Sequence, residues 1–156
     1  MKVRSVDRVR ARLIEVGHAD TITEFPEGTR SAEDAARAVG SSVAQIVKSM
    51  VFRCGDVPVL VLTSGINRVD EEKVSQLLGE KIGPAKGRWV REVTGFAIGG
   101  VAPIGHKAPL KILIDQDLLQ HSEIWAAAGS PMLVFSTTPE ALKEMTGGLV
   151  ADIRQG

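Results

Sequence analysis

Residues 95–106 read Gly95-Phe-Ala-Ile-Gly-Gly-Val-Ala-Pro-Ile-Gly-His106, four glycines and a proline among small apolar residues. Glycine accepts positive φ and lets a neighbour approach the main chain closely. Pro103 fixes its own φ and removes a donor, which stiffens the segment. Two readings follow. The stretch is either a set of turns between strands or a rigid wall whose backbone amides meet a ligand. The elements on either side decide what fold carries it.

Upstream, Lys86-Gly-Arg88-Trp-Val-Arg91 is the densest basic run in the chain. Before it, Asp70 to Leu78 has helical spacing, with Val74, Leu77 and Leu78 inward and Gly79 as the stop. The clearest strand signals are Lys48 to Arg53 and Val57 to Thr63, joined by a Cys54-Gly-Asp56 turn. Val59-Leu-Val-Leu62 is apolar on both faces, which predicts a strand covered on both sides. Nearer the N-terminus, Ser5 caps a helix whose stripe is Val6, Val9, Leu13 and Val16, ended by Gly17. Thr21 to Phe25 reads as a short strand and Pro26-Glu-Gly28 as a turn. Ser31 with Asp34 resembles a capping box for a helix over Ala32 to Val39, ended by Gly40. Ser42 caps a further short turn over Val43 to Val47.

Downstream, Lys111 to Asp115 is a strand, followed by a helical turn around Leu118 and Leu119. Glu123 to Ala128 and Met132 to Ser136 are strands around Gly129-Ser-Pro131. Pro139 opens a last helix with Leu142 and Met145 inward, stopped by Gly147-Gly148, and Leu149 to Ile153 adds an edge strand. Helices and strands interleave irregularly. The expected class is α/β in the mixed α+β sense, a mixed, barrel-like sheet flanked by helices rather than a doubly wound one.

A chain of 156 residues, 44% hydrophobic and 24% charged, suits one soluble domain over 1–156. Lys and Arg number 19 and so do Asp and Glu, so no strong field draws polyanions from a distance. A nucleic-acid partner must therefore be held by a local basic patch. Cys54, the only cysteine, allows no internal disulfide, as expected in a reducing cytoplasm. No signal-peptide core or membrane-length apolar run is present, so no membrane partner is expected.

The chemistry narrows by exclusion. Gly-x-x-x-Gly-Gly is not a dinucleotide fingerprint, and no Walker-type Gly-Lys-Ser/Thr occurs. His18, His106 and His121 lie far apart, without a cysteine pair or His-Glu-x-x-His, so neither metal nor cofactor is expected. The hydrolase elbow Gly-x-Ser-x-Gly is missing too. Lys48 stands out because it interrupts an apolar run between Ile46-Val47 and Met50-Val51-Phe52. It reads either as a strand-end lysine snorkelling to water or as a fixed cation aimed into a cleft. His106 has two readings as well, a surface histidine or a general base.

In order along the chain, Phe25-Pro-Glu-Gly-Thr29, Ile46-Val-Lys-Ser-Met-Val-Phe52, Gly95 to Gly105, and Asp115, Leu118 and Ala128-Gly129 resemble the YbaK/ProX type of aminoacyl-tRNA deacylase. That family is related to the editing domain of bacterial prolyl-tRNA synthetases. The resemblance covers nearly the whole chain. It implies hydrolysis, in trans, of the ester joining a wrong amino acid to the 3′ end of a tRNA, without a metal. It makes Lys48, Gly99 and Gly100 the catalytic candidates. Phe25, Phe52, Val101, Ala102, Pro103, Gly105, Ala128 and Gly129 become the substrate-binding candidates.

Lys86, Arg88 and Arg91, with Lys81 and Lys107 or Lys111 nearby, are expected to bind tRNA. The glycine segment, through Gly99, Gly100 and Gly105, is expected to set the size limit of the pocket. Backbone N–H groups can stabilise an oxyanion, orientation supplies much of the remaining gain, and the resemblance implies that the substrate's own ribose hydroxyl helps activate water. Where cysteine-specific members carry polar residues, this chain has Ala126-Ala-Ala128 and Val134-Phe135, so a cysteinyl substrate is not expected, and alanine, serine or threonine fits the small lining at least as well. An aminoacyl-tRNA synthetase is a further candidate partner. The rival expectation is a non-catalytic module of the same fold that binds a small ligand or a synthetase.

Overall fold

The computed structural model describes residues 4–29 and 31–156; the first three residues of the N-terminal reading lie outside them. Helix α1 (Ser5–Glu15) is followed by β1 (Thr23–Glu24) and α2 (Ala32–Val39). A 3-10 turn over Val43–Gln45 leads into β2 (Ile46–Cys54) and β3 (Val57–Ser64), then α3 (Glu71–Leu78), β4 (Gly83–Pro84) and α4 (Gly87–Thr94). After the glycine segment come β5 (Lys111–Asp115), a 3-10 helix over Gln116–Gln120, β6 (Ile124–Ser130), β7 (Leu133–Thr137), α5 (Pro139–Thr146) and β8 (Leu149–Ala151).

Local chemistry accounts for most of these boundaries. Ser31 Oγ accepts from Asp34 N at the start of α2, and Asp70 and Thr138 cap α3 and α5 in the same way. Arg4, not Ser5, occupies the cap of α1, where it and Asp7 bond reciprocally. Val16 falls beyond the end of that helix and is 39% exposed.

The strands form one mixed sheet in the order β1-β7-β6-β2-β3-β5-β8, with β4 on β2 as well. The path does not return on itself, so the barrel-like expectation is corrected to an open sheet with β1 and β8 at its ends. β2 and β3 form an antiparallel hairpin, whereas β2 with β6, β3 with β5 and β5 with β8 run parallel.

Alternation divides β2 and β3 between two apolar layers. Val47, Leu60 and Leu62 face the main core with Val9 and Leu13 of α1, Val90 of α4, Leu142 of α5, and Phe96, Val101 and Ala102 of the glycine segment. On the opposite face, Ile46 packs under α2 with Ala35 and Ala36. Phe52, Val59 and Val61 pack under α3 with Val74. Both faces of β3 are therefore covered, and Val59 to Leu62 have no exposure at all. Lys48 lies on the second face, at the seam between the patch under α2 and the patch under α3.

Candidate active site

β2 makes its full hairpin with β3, so any other strand must pair along its second edge. On that edge β6 pairs only at Ile46↔Trp125 and Val47↔Ala126, and β4 only at Phe52↔Pro84 and Arg53↔Gly83. Between these contacts, from Lys48 to Val51, the edge has no strand partner among the described residues. Alternate residues of an antiparallel strand point their backbone groups outward, so the amides there face open space. A cleft of about 220 Å³ fills the gap.

Its lining comes from four directions. β2 contributes Ile46 to Met50, β6 contributes Trp125, Ala126 and Ala127 with Val134 from β7, α2 and its lead-in contribute Thr29, Ser31, Ala32 and Ala35, and the glycine segment contributes Ile98, Gly99 and Val101. Most of these groups are apolar or small. Thr29 Oγ1 already donates to Pro131 O, and Ser31 Oγ already accepts from Asp34 N. Among the described residues, the side-chain donors left for a ligand are the Lys48 ammonium and the Trp125 indole N–H; the Ser49 hydroxyl, without a partner, is buried away from solvent.

Lys48 Nζ donates to the backbone carbonyl of Asn67 at 2.8 Å. Burial holds its pKa below the ordinary lysine range; Glu33 opposes that shift and Arg68 adds to it. Its ammonium is a donor only, fixed at one point and with N–H capacity to spare. Among the described residues no carboxylate or histidine lines the cleft. The site can therefore orient a substrate and stabilise negative charge, but it offers no side-chain base.

Of the residues expected to form the site, the structure brings Lys48, Gly99 and Val101 together at this cleft and distributes the others elsewhere. Phe52 lies under α3, in the core with Val59 and Ile82. Phe25 lines a separate hollow with Glu27, Asp34 and Arg37. Ala102 and Ala128 lie in the main core, fully buried. Pro103 and Gly105 line a groove on the other side of the segment. Gly100 is pressed against a neighbouring strand, where a Cβ would lie 2.8 Å from Ser130 Cα. Gly129 sits against α1, where a Cβ would meet Ser5 and Val6 at 3.0–3.1 Å. The expectation that Gly100 and Gly105 limit the pocket is thus corrected: their missing side chains make room for the chain itself.

His106 lies away from the cleft, half-buried along the groove that Pro103 and Gly105 line. Its Nε2 lies 2.7 Å from Ala102 O, its ring packs edge-on to Phe96, and burial lowers its pKa. Lys86, Arg88 and Arg91 are exposed on and beside α4. Helix α4 reaches the cleft at its first residue, since a Cβ on Gly87 would lie 3.5 Å from Ile98 Cδ1. Arg88 faces Glu92 at 3.7 Å, and Arg53 stacks over Trp89.

Arg8 belongs to no motif in the sequence. Its guanidinium donates to the carbonyls of both Gly95 and Gly105 and lies over the Phe96 ring. One α1 side chain thus clamps the two ends of the glycine segment. The available signal is a cation directly beside Val9, on the inward side of an otherwise apolar stripe.

Residues 26–145 match the family model described as the aminoacyl-tRNA editing domain. The uncharacterised protein YwhH of Bacillus subtilis is 31% identical over 143 residues, 91% of each chain. A candidate Cys-tRNA(Pro)/Cys-tRNA(Cys) deacylase of Enterococcus faecalis, EbsC, is 28% identical over 83% of this chain and 80% of its own. A proline–tRNA ligase of Geobacter metallireducens is 30% identical over 96% of this chain, which spans 26% of that enzyme. A crystal structure of a candidate trans-editing enzyme for prolyl-tRNA synthetase superposes with a TM-score of 0.93, at 44% identity and full coverage of both chains. With an open mixed sheet, a lysine at the splayed edge of β2 and a family match over most of its length, this chain belongs to the aminoacyl-tRNA editing domain family.

Proposed function

We propose that this chain, acting as one unit in the cytoplasm, is a trans-editing deacylase that hydrolyses the ester of mischarged aminoacyl-tRNA. Its preferred substrates carry a small amino acid such as alanine, serine or threonine. The observation that carries this reading is the cleft at the splayed edge of β2, where Lys48 and Gly99 meet a small, mostly apolar lining. A volume of about 220 Å³ lies below the range of about 300–1,000 Å³ typical of drug-sized sites. It suits a short side chain better than a long one. Val47, Val101, Ala126 and Val134 supply the walls.

The Lys48 ammonium holds the 3′-terminal ribose or the ester carbonyl, and backbone amides at the open strand edge face the developing oxyanion. Orientation of an already activated ester then supplies much of the rate. Among the described residues no side-chain base lines the cleft, and in this reading activation of the attacking water falls to the substrate's own ribose hydroxyl. Lys86, Arg88 and Arg91 lie where the acceptor stem would run past the rim at Ile98. The likeness to prolyl-tRNA synthetase relatives favours the tRNA read by that synthetase, with the synthetase itself as a candidate partner.

A panel of tRNAs separately charged with alanine, serine, threonine, cysteine and proline tests this reading. Rapid deacylation of the first three, slower release of cysteine and little release of proline is the expected order. A strong preference for cysteine would transfer the chain to the specificity that EbsC's name carries. Tight binding of every substrate without turnover would favour a non-catalytic module.

A further inference from the structure

Asp115 ends β5 fully buried, and among the described residues no cation is in ion-pair contact with it. A buried carboxylate without a countercharge is costly unless donors surround it. Three do, and they fall into two groups. Oδ1 accepts from Asp117 N at 2.9 Å, an ordinary cap of the following 3-10 helix. Oδ2 accepts from Ser64 N at 3.0 Å and from Asn67 Nδ2 at 2.8 Å. Ser64 and Asn67 are the two ends of the turn that leaves β3, and Asn67 N closes it onto Ser64 O at 2.9 Å. One carboxylate oxygen therefore grips both ends of a single turn. Asn67 is tied again through Nδ2 to Asp117 Oδ2, which in turn accepts from Arg154.

The carbonyl of this pinned Asn67 is the one that receives Lys48 Nζ. A lysine stem has four rotatable bonds, and among the described residues this carbonyl is the hydrogen-bond partner that fixes its end in one place. We propose that Asp115 is a positioning residue for Lys48: by holding the Ser64–Asn67 turn through Asn67, it sets the carbonyl that aims the ammonium into the cleft. A helix cap alone would need only Oδ1. The second oxygen is committed to the turn that carries the partner of Lys48. The kinetic consequence rests on the deacylase reading; the structural one does not.

The near-isosteric Asp115→Asn tests the proposal, because it sets an amide against the donors that Asp115 now accepts. Nitrogen-15 spectra of the lysine ammonium groups report on Lys48 directly. Lys143, exposed on α5 and outside this network, is the internal reference. The Lys48 ammonium signal is expected to shift or broaden in the variant while that of Lys143 stays.

In single-turnover deacylation of alanyl-tRNA, Asp115→Asn should slow the wild-type background at least about tenfold and the Lys48→Ala background hardly at all, since coupled residues are non-additive. Equal losses in both backgrounds, or an unchanged Lys48 signal, would overturn the proposal. Should Asp115→Asn not fold, Asn67→Ala removes the tether yet keeps the carbonyl. The same two readouts then decide, with a smaller expected loss. If the wild-type protein deacylates nothing, the functional reading fails while the spectra still settle whether Asp115 positions Lys48.

Discussion

The space left by Gly100 is occupied by the backbone of Ser130: a Cβ at residue 100 would lie 2.8–3.0 Å from Ser130 Cα, N and C. The glycine segment is thus fastened to the end of β6, and its own backbone cannot yield to a substrate. Gly100→Ala must push the glycine segment away from the end of β6, which as overpacking costs about 1–3 kcal/mol. The expected result is a lower melting temperature with deacylation reduced by a similar factor for alanyl, seryl and threonyl substrates. A loss confined to the largest substrate would restore Gly100 to the pocket wall.

Size selection is assigned instead to the side chains that face the cleft. Ala126 is buried in its floor, beside Val47 and opposite Val101. Ala126→Val should slow threonyl release more than alanyl release, by a factor in keeping with the roughly 1–3 kcal/mol that one methylene is worth in a pocket. Kinetics with the two charged tRNAs measure that ratio directly. An unchanged ratio would remove Ala126 from substrate contact.

Arg8 bridges Gly95 and Gly105, and hydrogen bonds from a charged donor are worth about 1.5–3 kcal/mol. Arg8→Ala should therefore lower stability by an amount of that order and slow deacylation at least about tenfold by loosening Gly99. Arg8→Lys offers a point charge in place of a fork and should recover only part of the loss. Full activity in Arg8→Ala at a temperature where it is folded would show that the clamp does not reach the site.

The pH dependence follows from Lys48. Desolvation lowers its pKa in the folded state, so activity that needs the ammonium falls as pH rises through a value below the ordinary lysine range. Between the folded and unfolded values the unfolded chain binds the extra proton, so stability rises with pH in that window. Rates corrected for spontaneous ester hydrolysis should show the alkaline decline in the wild type and none in Lys48→Ala. The same decline in the variant would assign it to another group.

For the tRNA, reversing Lys86, Arg88 and Arg91 together should weaken binding and flatten its salt dependence. Each lost phosphate contact removes roughly 0.7–0.9 from the log–log slope. Titrations at several salt concentrations report this, and an unaltered slope would make the run at α4 a solvated face.

Element identities were largely legible in the sequence because local chemistry sets them. Ser31, Asp70 and Pro139 announced α2, α3 and α5, and Val59 to Leu62 announced a strand covered on both sides. The sheet order was not legible, since parallel pairing of β2 with β6 and of β3 with β5 depends on contacts between distant segments. For the same reason the open edge of β2 was invisible, although it is what makes the cleft. Lys48 could be picked out as a charge in an apolar run. Its seam between α2 and α3, and its Asn67 partner, could not. Among the glycines, composition cannot separate one that lines the cleft, such as Gly99, from those that admit a neighbouring backbone, such as Gly100 and Gly129. Nor can it place Phe52, whose alternation with Val51 puts it under α3.

The proposed role of Lys48, at the splayed edge of β2, is to hold an aminoacyl-tRNA for hydrolysis. Single-turnover deacylation of alanyl-tRNA by the wild type and by Lys48→Ala, each with its melting temperature, tests that role. Lysine at a half-buried seam is not needed for packing, so the variant should melt within a few degrees of the wild type. Its rate constant should nonetheless fall at least about a hundredfold, toward the spontaneous rate. Lys48→Ala that deacylates as fast as the wild type would show that Lys48 does not hold the substrate.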